Sequence, residues 1–211
     1  MKIAVVDYGM GNLRSVSKAL EQVAPGAEVL VTSLPEQIAS ADRVVFPGQG
    51  AMPDCMRELD ARNLRHAVTA AAAGKPFLGI CIGLQMLFDR SEEGGVAGLG
   101  VLSGEVCRFP EARMRESDGM RLKVPHMGWN RVKQRTQHPM WAGIPDGDRY
   151  YFVHSYYACP ADEAVICGET DYGFRFVCAV ARDNIFAVQF HPEKSAGSGL
   201  RLLANFINWN P

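Results

Sequence analysis

The 211-residue chain has almost no net charge of either sign. Its 22 lysines and arginines offset 23 aspartates and glutamates, leaving a formal charge of −1. That excludes the basic footprint of a nucleic-acid-binding protein. No polybasic run is present to hold the chain on an acidic membrane surface. Long apolar runs are missing too: the longest uncharged stretch near the middle, residues 76–88, falls short of a bilayer span. The acidic Asp7 comes too early for the apolar core of a signal peptide, which predicts a cytoplasmic protein. Cys55, Cys81, Cys107, Cys159, Cys167 and Cys178 are scattered, with no C-x-x-C pair and no histidine at zinc-finger spacing. Neither a disulfide framework nor a zinc site is expected. What remains is an ordinary globular composition, 47% hydrophobic and 21% charged, long enough to bury a sizeable core.

Residues 3–6 form a short apolar run closed by Asp7, as in a strand buried on both faces. Leu13, Val16, Ala19, Leu20 and Val23 then recur at helical spacing until Pro25-Gly26. A strand over Glu28–Thr32, a short helix opened by Pro35 and a strand at Val44-Val45-Phe46 follow. Helical patterning over 53–73 leads to a fourth strand at 77–80. This alternation predicts a parallel sheet with covered faces. The second half reads as strands at 104–109, 121–124, 149–157, 164–169, 175–180 and 185–190, with a charged loop at 111–119 and a closing apolar helix at 200–209. Turn signals stand at Asp118-Gly119, Asp171-Tyr172-Gly173 and Arg182-Asp183-Asn184. The predicted fold class is α/β: an open, mixed, mostly parallel sheet flanked by helices, with antiparallel strand additions, in one domain spanning 1–211.

The most informative segment is Gly79-Ile80-Cys81-Ile82-Gly83, set between a buried strand and an apolar stretch (Leu84, Met86, Leu87, Phe88) that reads as a helix. It has the form of a nucleophile elbow with cysteine in place of serine. Glycines at 79 and 83 remove the collisions that a sharp strand-to-helix turn creates, and the Ile82 amide then faces the reacting carbonyl oxygen. The same five residues also fit a buried structural cysteine beside packing glycines. A thiol needs a base at neutral pH. His191-Pro192-Glu193, following an apolar strand, offers an imidazole and a carboxylate to orient it; a surface turn with Glu193 paired to Lys194 is the alternative. Pro47-Gly48-Gln49-Gly50 also follows a buried strand, as either an oxyanion-binding loop or a plain turn. Gln85, four residues after Cys81, shares its helix face and has an amide able to read the polar end of a substrate. Other patterns fail. Arg14 takes the place of the third glycine in Gly9-Met10-Gly11-Asn12-Leu13-Arg14, so no dinucleotide fingerprint is complete, and no phosphate loop occurs. A metal on His154, His191 and Glu193 would consume the proposed base.

Together, Gly79-Ile80-Cys81-Ile82-Gly83-Leu84-Gln85 and His191-Pro192-Glu193 resemble the class I, triad-type glutamine amidotransferases. Asp7-Tyr8-Gly9-Met10-Gly11-Asn12-Leu13, Pro125-His126-Met127-Gly128-Trp129-Asn130, Tyr151-Phe152-Val153-His154-Ser155-Tyr156 and Gln189-Phe190-His191-Pro192-Glu193-Lys194-Ser195 narrow the likeness to the glutaminase subunits of imidazole glycerol phosphate synthase. The resemblance implies a Cys81–His191–Glu193 triad acting on L-glutamine, with no cofactor and no metal. It implies oxyanion donors at Ile82 and in the Gly48-Gln49-Gly50 loop, and glutamine held by Gln85, His154, Ser155 and Tyr156. Gln49 stands where the family often has an apolar residue, but the main-chain N–H is what the chemistry uses. The flanking glycines would let that loop rotate, which would keep basal activity low. Ammonia would pass to a cyclase subunit with a (β/α)8-barrel fold, forming a heterodimer with this chain, in histidine biosynthesis, with Asn12, Trp129 and Lys194 around the exit. For Trp129, core packing fits the sequence equally well. Three other readings remain: a glutaminase serving a different synthase, a free-standing cysteine hydrolase, and a silent binding subunit.

Overall fold

The structure is a computed structural model and describes residues 1–115 and 119–211. Strands β1 (Lys2–Val6), β2 (Glu28–Thr32), β3 (Arg43–Gly48) and β4 (Phe77–Cys81) lie in the order β2-β1-β3-β4, all parallel. β3 and β4 are buried along their whole length, which is why they read as unbroken apolar runs rather than as alternating ones. Helices α1 (Leu13–Val23), α2 (Pro35–Ser40), α3 (Met52–Ala61) and α4 (Arg65–Gly74) make the crossovers. The helical pattern over 53–73 is therefore two helices. Asn63, at φ +57°, adopts the left-handed conformation that asparagine tolerates and breaks the run. Past β4 the expected apolar helix is a single turn, α5 (Ile82–Gln85), and the chain enters strand β5 (Phe88–Ser91). Leu84, Met86, Leu87 and Phe88 are all buried, so their spacing carried no periodicity to separate helix from strand.

Strand β6 (Val96–Ala97) pairs with β5, which lies parallel to β7 (Leu102–Arg108). Strands β8 (His126–Arg131) and β10 (Arg149–His154) form a separate antiparallel ribbon, and β9 (Lys133–Gln134) is a short edge piece. The main sheet continues through β11 (Tyr156–Pro160), β12 (Ile166–Asp171), β13 (Arg175–Arg182) and β14 (Ile185–Val188). β14 runs parallel to β4, and the pairings from β14 through β13 and β11 to β7 are antiparallel. The single strand expected over 149–157 breaks at Ser155 into two strands in different sheets. The strand expected over 121–124 is reduced to one bridge, Arg115 to Arg121; Pro125, which has no N–H to donate, follows at once. The turn expected at Asp118-Gly119 lies partly outside the described residues. Helix α6 (Ala196–Asn208) closes the chain against α1.

Candidate active site

β4 delivers Cys81 to the end of the sheet, and the backbone turns sharply there: Cys81 has φ +57° and ψ −113°. A non-glycine residue holds such a conformation only when its surroundings enforce it. The enforcement is visible. A Cβ on Gly83 would run into the Phe46 carbonyl oxygen, and one on Gly79 would sit 2.9 Å from the Ala187 Cβ and 3.0 Å from the Gly83 carbonyl. The elbow is thus pressed against β3 on one side and β14 on the other. Gly48 pairs with Cys81 in the β3–β4 register, which brings the Gly48-Gln49-Gly50 loop beside the sulfur. Ile82 is the first residue of α5, so its N–H has no acceptor within its own turn.

A cavity of about 240 Å³ opens here, smaller than the roughly 300–1,000 Å³ of drug-sized sites and matched to an amino-acid-sized ligand. Gln49, Gly50, Cys81, Ile82 and Gln85 line it from the parallel side. His154, Ser155 and Tyr156 line it from the antiparallel additions, and His191 lines it from just past β14, the strand parallel to β4. His191 Nδ1 lies 2.8 Å from Glu193 Oε1, and both side chains are buried. The imidazole is held through its backbone: His191 N–H donates to the Tyr151 carbonyl (2.9 Å), Tyr151 N–H to Ser195 Oγ (3.0 Å), and Ser195 Oγ–H back to the His191 carbonyl (2.6 Å). Burial disfavours the charged imidazolium, but the Cys81 sulfur and the Glu193 carboxylate together outweigh it and lift His191 to about 10. With Nδ1 on Glu193, the buried His191 Nε2 is left to face the Cys81 sulfur, the group with which it can exchange a proton.

His154 also lines the cavity, yet both its ring nitrogens are engaged by protein. Nδ1 donates to the Tyr156 carbonyl (2.7 Å), an atom that can only accept, so Nε2 accepts from His126 Nδ1 (3.0 Å). His126 Nε2 in turn faces Asn130 Nδ2 at 3.3 Å, and that amide donates to the Asp171 carbonyl (2.8 Å). Burial lowers His154 to about 3 and His126 to about 4, so both stay neutral and the chain of donors and acceptors is consistent. Gln85 Nε2 donates to the same Tyr156 carbonyl (3.2 Å) and to Gln189 Oε1 (2.9 Å), while Gln85 Oε1 is buried without a partner among the described residues. A buried acceptor left open beside a cavity suits a ligand N–H.

Two site residues escaped the sequence reading. Gln189 is wholly buried and its Nε2 reaches the Cys81 sulfur at 3.7 Å. Its signal was an amide inside an otherwise apolar strand-like run. Glu93 lines the cavity and accepts from Met52 N–H (2.8 Å); in the sequence it is one carboxylate of a polar turn and carried no signal. Trp129 is half exposed, which removes core packing as its reading, and Met127 beside it is 62% exposed. Trp129 meets Tyr151 edge-on at 6.3 Å, and Lys194 Nζ lies 5.8 Å over the same ring. Asn12 stands partly buried ahead of α1, which packs on the turn Pro192–Lys194.

Known proteins resemble this chain in sequence and in fold. Residues 4–209 match the family model for class-I glutamine amidotransferases. The imidazole glycerol phosphate synthase subunit HisH of Aromatoleum aromaticum is 69% identical over 209 residues, covering 99% of each chain. That of Dechloromonas aromatica is 66% identical, covering 99% of this chain and 97% of the relative. Among solved structures, PurLQS from Thermotoga maritima superposes with a TM-score of 0.70 at 19% identity, covering 98% of this chain and 97% of the matched one. A CTP synthase glutaminase domain from Trypanosoma brucei gives 0.66 at 20%, covering 100% and 95%. These two share the fold. With a family model and full-length relatives in agreement, the chain belongs to the class-I glutamine amidotransferases and, among them, to the HisH subunits of imidazole glycerol phosphate synthase.

Proposed function

We propose that the chain hydrolyses L-glutamine and hands the ammonia to a cyclase subunit. Cys81 attacks the side-chain amide carbon while His191 takes the thiol proton and returns it to the leaving ammonia. Water then opens the glutamyl thioester, with the same imidazole as base, releasing glutamate and restoring the thiol. Glu193 fixes the tautomer and stabilises the imidazolium. The Ile82 N–H and an amide of the Gly48-Gln49-Gly50 loop receive the oxyanion. Gln85 Oε1, Ser155 and Tyr156 hold the substrate, and the Glu93 carboxylate faces its α-ammonium. His154 acts by holding the Tyr156 carbonyl in place. The 211 residues work as one domain, in the cytoplasm, as half of a heterodimer with a (β/α)8-barrel cyclase. That partner joins the ammonia to its own intermediate and makes imidazole glycerol phosphate and aminoimidazole carboxamide ribotide. Asn12, Trp129 and Lys194 form the contact around the ammonia exit.

The observation that carries this reading is one cavity holding Cys81, at the tip of a strained elbow, and His191, whose proton affinity is raised by that sulfur and by Glu193. The test is glutamate release by the purified chain, alone and with the cyclase and its ligand. Strong activation is expected, with Cys81→Ala lowering the rate at least about a thousandfold. Turnover that survives in Cys81→Ala, or that ignores the cyclase, overturns the reading.

A further inference from the structure

Gln189 follows β14, is wholly buried, and has the orientation of its side-chain amide dictated by its neighbours. The Tyr156 carbonyl can only accept, so the Gln85 atom 3.2 Å from it is the nitrogen. That nitrogen also donates to one terminal atom of Gln189 at 2.9 Å, which is therefore the oxygen. The other terminal atom, Gln189 Nε2, is left to face the Cys81 sulfur at 3.7 Å. The main chain is pinned as well, Gln189 N–H donating to the carbonyl of the buried Cys178 at 2.8 Å. Gln189 is not among the residues that line the cavity, so its amide reaches the sulfur from within the protein while substrate comes from the cavity.

Cys81 is itself buried, so negative charge on its sulfur finds little water and needs donors from the protein. That charge develops when His191 takes the thiol proton, and again when water opens the thioester. A hydrogen bond to an ionised acceptor is about twice as strong as one to a neutral acceptor. The contact from Gln189 is therefore weak to the thiol and to the thioester and strengthens where the charge develops. We propose that Gln189 is a catalytic residue for glutamine hydrolysis, its side-chain amide donating to the Cys81 sulfur and holding the charge there as the proton leaves. The idea rests on the glutaminase reading. The proton passes from the sulfur to His191 and on to the leaving ammonia, and Gln189 keeps both of its own.

The test compares wild type with Gln189→Met, which keeps the length of the side chain and lacks the donor. Glutamate release is measured in the complex with the cyclase, with Cys81→Ala as the blank, and melting curves exclude a misfolded variant. Loss of the donor is expected to lower kcat about tenfold with KM unchanged within about threefold. Iodoacetamide probes the sulfur without glutamine, its reaction followed by mass spectrometry of the Cys81 peptide. Alkylation of the isolated variant at pH 7 should slow about fivefold, and the deficit should shrink as pH rises and hydroxide removes the same proton. In the wild type, the Gln189 side-chain amide protons should move upfield in NMR once iodoacetamide has capped the sulfur, a readout that needs no variant at Gln189. Unchanged alkylation at pH 7, a deficit equal at every pH, a higher KM with kcat intact, or amide protons that stay in place overturns the proposal. If wild type itself does not exceed the Cys81→Ala blank, the glutaminase reading fails, and alkylation and NMR alone decide whether Gln189 serves the sulfur.

Discussion

Cys81 ends β4 and His191 follows the neighbouring parallel strand β14, yet their surroundings are held by different physical means, the elbow by the parallel strands and the histidines by the antiparallel additions. On the parallel side the backbone does the work. Glycines at 79 and 83 let β4 turn within contact distance of Phe46 and Ala187, and the strain at Cys81 is locked in by packing. On the antiparallel side side-chain hydrogen bonds do it. Ser195 ties His191 to β10, and a relay of His154, His126 and Asn130 ties the Tyr156 carbonyl to Asp171. A backbone device is local and stiff. A hydrogen-bonded device is spread over several strands and depends on every member keeping its protonation state.

The histidines show the same contrast in electrostatic form. Burial opposes charge on all three. His191 has the Cys81 sulfur and the Glu193 carboxylate beside it and is raised, whereas no carboxylate among the described residues acts on His154 or His126 and both are lowered by burial.

Replacing Glu193 by glutamine attacks the antiparallel side where the expected effect is largest. An amide can donate to Nδ1 and select the wrong tautomer, so kcat should fall at least about a hundredfold with KM nearly unchanged. The His191 proton affinity, read by NMR titration, should drop with it. A loss below about tenfold would mean that the Tyr151–Ser195 clamp alone orients the ring. Gly83→Ala attacks the parallel side. The added methyl meets a backbone oxygen that cannot step aside, and urea unfolding should show a loss of about 1–3 kcal/mol. Unchanged stability would mean that the elbow is softer than its contacts imply.

The pH response of stability separates the halves with the smallest effect. His191 is raised above its unfolded value near 6.5, so its contribution is full below about pH 6.5 and fades as pH climbs toward 10. His126 and His154 are depressed, so theirs is full above about pH 6.5 and is lost as pH falls toward 4 and 3. Urea midpoints across this range should carry both slopes, and His126→Gln should flatten the acid limb while leaving the alkaline limb intact. An acid limb as steep in His126→Gln as in the wild type would exclude His126 from the acid-sensitive groups.

The parallel half was legible because each strand there is an apolar run bounded by turn residues, and β2 falls where its pattern put it. The elbow was legible for a similar reason: its glycines and cysteine are consecutive, so their spacing is the geometry. The ribbon of β8 and β10 was not. Strand 149–157 gave no sign of its break at Ser155, because the residues on both sides are equally strand-forming and only their partners differ. The helix expected past Cys81 stops after the one turn of α5, which the residues up to Phe88 could not signal because a stretch buried on every side has no period.

By itself, then, the order of residues determined the parallel sheet, the elbow at Cys81 and the adjacency of His191 and Glu193, all properties of neighbours along the chain. Tertiary structure alone decided that Gln189 reaches the Cys81 sulfur, that Glu93 enters the cavity and that His154 spends both nitrogens on protein. The reason is physical. Local spacing constrains dihedral angles and faces, whereas a hydrogen bond between residues far apart in sequence exists only after the sheet has brought its strands together.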